Sequence, residues 1–463
     1  MSSKPLDLVR GLGPWASVAI VVGTMIGTGI FIVPADMARD AKSVGLVMLV
    51  WIAGGALSLF GALSYAELGA ALPEAGGEYA YMRRAYGPAW GFLFGWMHSI
   101  VGRPTSVATI AAGLLRFCGF LFPATAATIF TWHFALPGLK PYDFVFTRAQ
   151  PLAVVAIAAV TFVNYLGVRL GGQVQVTLTV IKIAAVVAVV AVGFSLGHGN
   201  AANFHPLFAG SGTLTVAGLL TALVGALWAY DGWSNVNLVG SEVVDPQKNI
   251  PRALLGGVLL VVGLYVVMTL ACFFALPLAT VAASPHVASD VVASLLGHKA
   301  AVWLTLAMII CALGTMNSSI LSGARVDYAM ARDGIFFRAA AGVHWRFRTP
   351  ARALVFQGCL ASVLALTGTF EDLYSLFIFA GWIFYGLATA SVIWLRIREP
   401  QLARPYRTWG YPVVPALFIL GATALTVSIF LDRPVRCFIG LALILSGLLF
   451  YQHWQKSSPS QQS

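Results

Sequence analysis

The sequence predicts an all-α integral membrane protein of about twelve transmembrane helices, and three observations predict it. Of its 463 residues, 59% are hydrophobic and only 10% are charged, and the mean hydropathy is +0.84, well outside the range of a soluble domain. About twelve apolar segments, each roughly 20 residues or longer, are long enough to cross a bilayer. Two of these segments are interrupted at their centres by glycines and polar residues. Little chain is left over for a soluble domain. The net charge of +11 comes from basic loop ends without aromatic-and-basic interleaving, so no nucleic-acid partner is expected. Cys118, Cys272, Cys311, Cys359 and Cys437 lie in or at the ends of apolar segments with no CxxC spacing. They read as structural thiols with no disulfide framework and no metal site, and no cofactor is expected. Lys4 and Arg10 precede an apolar run without a small-residue cleavage site, which reads as a retained first helix and not a signal peptide.

Span 1 runs from about Pro14 to Met37, and Pro14 suits a first helical turn. Its centre, Gly23 to Phe31, holds three glycines and two threonines, which weaken a helix where lipid gives the backbone no other partner. One reading is a deliberate break whose freed N–H groups hold an anion at the positive end of the next half-helix. The other is close helix packing through the Gly23/Gly27 pair. Span 2 covers about Gly45 to Leu72 and carries Glu67 near its end, expected to be structural. Pro73 to Arg84 is too polar to cross and reads as a short interfacial helix with tyrosines at headgroup depth. Span 3, about Trp90 to Phe117, carries His98, Arg103 and Pro104. His98 reads as a packed or gating side chain, because no second His or acid sits one turn away. Pro123 to Arg148 is expected to be a long loop. Spans 4 and 5 are about Pro151 to Val168 and Val174 to Leu196, the latter with Lys182 inside it. Span 6 is about Leu214 to Val239. Spans 7 to 12 follow at about 254–276, 301–322, 354–368, 373–395, 413–431 and 438–451.

Orientation follows from Lys and Arg. With the N-terminus inside, the cytoplasmic side collects about twice as many of them as the outside. Both termini are then cytoplasmic, and a multi-pass protein of the cell (inner) membrane is expected.

The centre of span 6 reads Trp228-Ala229-Tyr230-Asp231-Gly232-Trp233-Ser234-Asn235-Val236-Asn237. Such residues are expensive in lipid unless they line a polar cavity. The two breaks start five spans apart, and an odd offset reverses the direction of crossing. Spans 1–5 and 6–10 therefore read as inverted repeats whose breaks meet near the midplane. The divisions are 1–197 for the first repeat, 198–400 for the second, and 401–463 for the last two helices and tail. The first break offers N–H groups to a carboxylate, and free carbonyls around Trp228, Ala229 and Asp231 suit an ammonium. Together they describe a receptor for the zwitterionic backbone of a free amino acid.

Gly23 to Phe31 resembles the first-helix motif of the amino acid–polyamine–organocation superfamily. Glu242 to Ala253 is similar to that family's loop after helix 6, and Ala331-Arg332-Asp333-Gly334 with Thr349-Pro350 is similar to its loop after helix 8. Trp228 to Asn237 and Arg103-Pro104-Thr105-Ser106 resemble the L-type amino acid transporter branch and its bacterial members. The resemblance spans nearly the whole chain. It implies a five-plus-five inverted-repeat transporter that moves amino acids by alternating access. By it, Thr24, Met25, Gly27, Thr28 and Gly29 match the carboxylate-binding segment, Trp228 matches a gating aromatic, and Asp231 sits where a backbone carbonyl meets the amine. Met25, Ile26 and Trp228 would line a site suited to uncharged side chains. The resemblance also implies that Lys182 stands near the first break, where sodium-coupled relatives place a cation. Ser318 and Ser319 either face that place or serve helix packing. Animal L-type transporters bond an accessory glycoprotein through a cysteine between helices 3 and 4. The stretch Pro123 to Arg148 contains none, so no disulfide-linked accessory glycoprotein is expected.

Asp231 either faces the ligand, favouring cationic side chains, or caps the second half of span 6, and capping is the expectation. Arg103 is expected to lock span 3 to a neighbour, with a ligand contact as the alternative. A channel would need a symmetric filter, and none is seen. An intramembrane enzyme would need paired catalytic groups, and the spans hold none. The expected function is sodium-independent exchange of neutral L-amino acids. The alternatives are a proton-coupled symporter, or an exchanger that also accepts cationic amino acids.

Overall fold

The computed structural model describes residues 10–134, 142–166, 171–195, 199–208, 216–342, 344, 349–368 and 370–457. It consists of α1 (Pro14–Met25), α2 (Gly29–Ala41), α3 (Val44–Ala71), α4 (Glu78–Tyr86), α5 (Pro88–Met97) and α6 (Arg103–Leu121). A two-stranded hairpin follows, β1 (Thr128–Phe134) and β2 (Tyr142–Thr147), then α7 (Ala149–Tyr165), α8 (Gly171–Ser195), α9 (Val216–Tyr230) and the one-turn α10 (Asn235–Leu238). The remainder is α11 (Pro246–Ala275), α12 (Leu278–Ala283), α13 (Val287–Leu296), α14 (His298–Arg332), α15 (Ala351–Thr367), α16 (Phe370–Arg398), α17 (Val413–Asp432) and α18 (Pro434–Ser457). Among the described residues, nine helical segments are long and apolar enough to cross a membrane. Four shorter apolar helices accompany them: α7, the 218–230 part of α9, α13 and α15. This is the helical bundle of a multi-pass membrane protein.

The long helices follow from their composition. Apolar residues surround α3, α11 and α17 on all sides, with exposed leucines and valines facing outward and a buried face inward. That all-round pattern marks a helix whose outer solvent is lipid. Between α5 and α6 the chain makes one π turn, His98–Gly102, in which the Arg103 N–H reaches back to the His98 carbonyl. Pro104 is the local cause: it has no N–H for an ordinary helical bond, and the wider turn absorbs the mismatch.

The centre of the bundle is aromatic. Trp51 packs edge-on to Tyr230 and Tyr265 at 5.3 and 5.4 Å, and the two tyrosines stack at 5.2 Å. These rings join α3, α9 and α11 directly behind the interrupted spans.

Two connections tie the ends of the bundle. Glu67, on α3, is buried and accepts from Arg396 of α16 at 2.6 and 2.9 Å, with Arg404 at 3.4 Å and the Thr408 N–H at 2.7 Å. At the other connection the segment before α1 pairs with the chain after α10. The N–H groups of Gly11 and Leu12 both donate to the Glu242 carbonyl at 2.9 Å, and the Val244 N–H returns to Leu12 at 2.9 Å. Leu12 and Val243 form a parallel bridge. The Glu242 carboxylate is also 3.2 Å from Arg325 of α14.

Two details differ from the sequence reading. The stretch expected to be a long loop, Pro123 to Arg148, contains the β1–β2 hairpin, because alternating aromatic and polar residues pair across it. The second part of span 6 is a single turn, α10, followed by a short 3-10 turn at Gly240–Glu242. Gly232, Ser234 and two asparagines keep that part from helical continuity.

Candidate functional site

Both predicted interruptions are present and face each other. α1 ends at Met25, and Ile26 leaves the helical region with φ −72° and ψ 89°. α2 restarts at Gly29. α9 ends at Tyr230, and the chain turns through Asp231–Ser234 before α10, with Gly232 at φ +105°. That φ favours glycine, and an added Cβ there would meet Thr24 at 3.0 Å. A Cβ on Gly29 would lie 2.7 Å from the Ala229 Cα. The backbones of the two breaks therefore touch, which only glycine at position 29 permits.

Between them lies a small, partly open cavity. Its walls are Thr24, Met25, Gly27, Thr28 and Gly29 from the first break and Trp228, Ala229, Asp231, Gly232 and Asn235 from the second. Arg103, Ser106 and Ile110 of α6 and Thr315 and Ser319 of α14 complete it. The N-terminus of α2 opens onto this space; the Phe31 N–H donates to the Thr28 carbonyl at 3.3 Å, and the N–H groups before it have no acceptor within the helix. The Thr28 hydroxyl is buried without a hydrogen-bond partner among the described residues. The arrangement suits a small anionic group.

Side chains brace the exposed carbonyls of the breaks. Lys182 is fully buried and donates to the Gly23 carbonyl at 2.7 Å and to the Thr315 hydroxyl at 2.5 Å. The Tyr265 hydroxyl lies 2.7 Å from the Met25 carbonyl and 3.1 Å from that of Ala229. It thus touches the last turn of both α1 and α9. Thr24 Oγ1 is 2.9 Å from the Gly232 carbonyl. Part of the carbonyl set assigned from the sequence to an ammonium is therefore engaged by the protein's own donors, leaving second lone pairs on those oxygens.

Trp228 is 7% exposed and packs against Phe370, Tyr374 and Phe377 of α16 at 6.4, 6.4 and 5.4 Å. It closes one wall of the cavity. On the opposite wall Arg103 donates to Asn235 at 3.2 Å and lies 3.5 Å from His98 Nε2. The π turn carries His98 and ends at Arg103, which ties α6 to the second break. Ser99 of the same turn donates to Asp327 of α14.

Other residues singled out from the sequence differ from their expected roles or places. Asp231 does not cap α10: Ser234 occupies that N-cap without a capping bond, and the Asp231 carboxylate accepts from Tyr385 at 3.0 Å. The turn between them moves Asp231 too far from the first turn of α10. Ile26 is fully buried and not part of the cavity wall, because the break rotates its side chain away. Ser318 bonds back to the Gly314 carbonyl at 3.1 Å and is outside the cavity, while Ser319 is in its wall. Lys182 reaches the break from behind and is likewise not a wall residue. The sequence reading missed Tyr265, Thr315, Tyr385 and Ile110, while Asn235 stood in the polar centre of span 6 and Ser106 in the Arg103–Ser106 motif without a separate assignment.

Outside the spans, Glu78 at the start of α4 is buried beneath this site. Burial pushes its carboxyl up to about 7, against its own backbone N–H, the Ser234 hydroxyl and the Arg103 charge, and with the Asp231 charge. One carboxylate oxygen has no hydrogen-bond partner among the described residues.

A helical bundle of this kind, with two interrupted helices meeting across a small polar cavity, defines a membrane solute carrier. Comparison with known proteins supplies the particular class. The chain belongs to the amino acid permease family, whose model matches residues 12–449. It is similar to the human b(0,+)-type amino acid transporter 1, at 33% identity over 97% of this chain and 88% of that protein. It is also similar to the serine/threonine exchanger of Bacillus subtilis, at 28% identity over 99% of this chain and 100% of that protein. The human cystine/glutamate transporter matches at 30% identity over 97% of this chain and 84% of that protein. The chain is an amino acid transporter and not an enzyme.

Proposed function

We propose that this transporter is a sodium-independent exchanger of neutral L-amino acids. The observation that carries the reading is Lys182, seated against the first break on Gly23 and Thr315. A fixed ammonium there opposes a second cation. At about 4 Å the unscreened repulsion is roughly 4 kcal/mol for an effective dielectric near 20. Its N–H groups also hold the carbonyl end of α1 in place of an ion. The α-carboxylate is assigned to the N–H groups of Gly27, Thr28 and Gly29, and the α-amine to carbonyls at Met25, Ala229 and Asp231. Trp228 gates the cavity. The uncharged Met25, Ile110 and Trp228 surfaces favour neutral side chains. The Bacillus subtilis relative, named as a serine/threonine exchanger, supports this choice.

In the same reading α7, α9 with α10, and α15 join the nine longer segments to make twelve spans. Residues 1–197 and 198–400 are inverted repeats, and 401–463 carry the last two helices. Both termini face the cytoplasm of a bacterial inner membrane, without a disulfide-linked glycoprotein.

Proteoliposome uptake tests it. Replacing sodium with choline leaves uptake unchanged, and amino acid inside the vesicle stimulates it strongly. Sodium-driven accumulation overturns the reading. A second reading rests on the same contacts: both partners of Lys182 are neutral oxygens, so the ammonium has the option of releasing its proton during the cycle. Accumulation into empty vesicles driven by a pH gradient, and abolished by Lys182→Ala, selects proton coupling. A third outcome bears on Asp231, a residue of the cavity wall whose carboxylate accepts from Tyr385. Dominant arginine uptake that disappears in Asp231→Asn assigns the transporter to cationic amino acids.

A further inference from the structure

The hairpin between α6 and α7 has no part in the cavity, and its two faces differ. Phe130 pairs with Phe146 and Trp132 with Phe144 across the strands. Residues two apart share a face, so all four rings lie on one side. Phe130 and Phe146 stack at 4.9 Å, and Phe144 lies 6.1 and 6.2 Å from them. The other side carries the pairs Thr131–Val145 and His133–Asp143, with His133 Nδ1 2.6 Å from the Asp143 carboxylate. Phe130 is 45% exposed and Trp132 62%.

The hairpin is also fixed in place. Gln150, in the first turn of α7, bonds the Thr147 N–H and hydroxyl at 2.6 and 2.7 Å and the Val145 carbonyl at 3.0 Å. The Arg148 N–H donates to the Ala127 carbonyl at 3.0 Å. Its root therefore sits at the ends of two helices, at Leu121 and Ala149. Exposed apolar side chains continue from that root: Phe122 is 65% exposed, and Leu152 and Val155 on α7 are 43% and 63%.

We propose that the aromatic face of this hairpin lies in the headgroup boundary of the bilayer and anchors the α6–α7 end of the transporter there. The proposal rests on reading α6 and α7 as spans. A two-stranded ribbon is marginal in water by itself, and aromatic rings gain most where one side is apolar and the other wet. The root at two helix ends holds the ribbon at that depth. The His133–Asp143 face, turned the other way, stays in water. Exposed apolar side chains on the ribbon, at its root and on α7 point to lipid as the occupant.

Nitroxide labels in phosphatidylethanolamine/phosphatidylglycerol vesicles test this with the intact transporter. Cys359 is the exposed cysteine among the described residues, so Cys359→Ser is the background, and its residual labelling is subtracted. Single cysteines replace Phe130, Trp132, Thr131, Val145 and, as a control on α7, Val155. The expected result is a high ratio of oxygen to nickel-chelate accessibility at 130, 132 and 155, and a low ratio at 131 and 145. Low ratios at all four hairpin positions with a high ratio at 155 place the ribbon in water and overturn the anchor alone. Low accessibility to both reagents at 130 and 132 shows a protein cover, from a second copy or another chain, and also overturns it. A low ratio at 155 as well overturns both the span reading and the anchor.

Discussion

Gly29 has no room for a side chain. The Cβ it lacks would lie 2.7 Å from the Ala229 Cα and 2.9 Å from its Cβ. Gly29→Ala is expected to cost about 1–3 kcal/mol, as over-packing does, and to part the two breaks. Amino acid binding should fall at least tenfold in a scintillation proximity assay. Ala229→Gly should not rescue it, because the nearer obstacle is backbone. Glu78 gives a second prediction at this scale. Burial raises its carboxyl from 4.5 to about 7, so folding favours the protonated form. The stability this provides is full below the unfolded value of 4.5 and is lost as the pH rises through about 7. Melting temperature should therefore decline over that window in the wild type and stay flatter in Glu78→Gln. Equal slopes in the two proteins would remove Glu78 as the source.

Helix α3 is held to α16 and to the segment before α17 by a carboxylate with three partners. Glu67 is 3% exposed, while Arg396 and Arg404 are 21% and 8% exposed. Removing Glu67 takes the ion pair from the partly exposed Arg396, while Arg404 keeps the Leu402, Leu395 and Glu399 carbonyls, and the loss of such charged hydrogen bonds costs about 1.5–3 kcal/mol. Glu67→Ala is expected to lower stability by that amount, read as lost monodisperse protein after heating, whereas Glu67→Gln should lose less. An unchanged melting curve for Glu67→Ala would show the hub to be dispensable. At this scale the sequence was legible where lipid penalises what it contains. Gly23 to Phe31 and Trp228 to Asn237 stood out because a crossing helix has no other use for them. Tyr265 and Thr315 did not, since a tyrosine or threonine in an apolar span costs little and reveals its partner only after packing. The brevity of α10 escaped for a related reason: turn residues mark where a helix stops, not how soon. The hairpin escaped because seven alternating residues make a weak pattern inside a segment framed by helices.

At the scale of the whole molecule the site lies where the interrupted helices α1–α2 and α9–α10 meet, with α6 and α14 beside them. Anything that binds the folded state stabilises it by mass action, by about 2.7 kcal/mol at 100 times Kd. Free neutral amino acids should raise the melting temperature, and their methyl esters, lacking the carboxylate, should not. Equal shifts for both would place the ligand somewhere other than the N-terminus of α2. The pairing of Gly11 and Leu12 with Glu242 to Val244 bears on the order in which the molecule is made. Its two strands come from the start of the chain and from the end of α10, and ribosomes emit them far apart in time. Until the later one appears, the segment before α1 has no edge to pair with, and Gly29 of α2 has no Ala229 to lie against. The site is therefore a late product of synthesis, although the third of its walls that comes from the first break leaves the ribosome long before the rest. A nascent chain arrested just after α8 should leave Gly11 and Leu12 open to proteolysis, and one arrested beyond α11 should protect them.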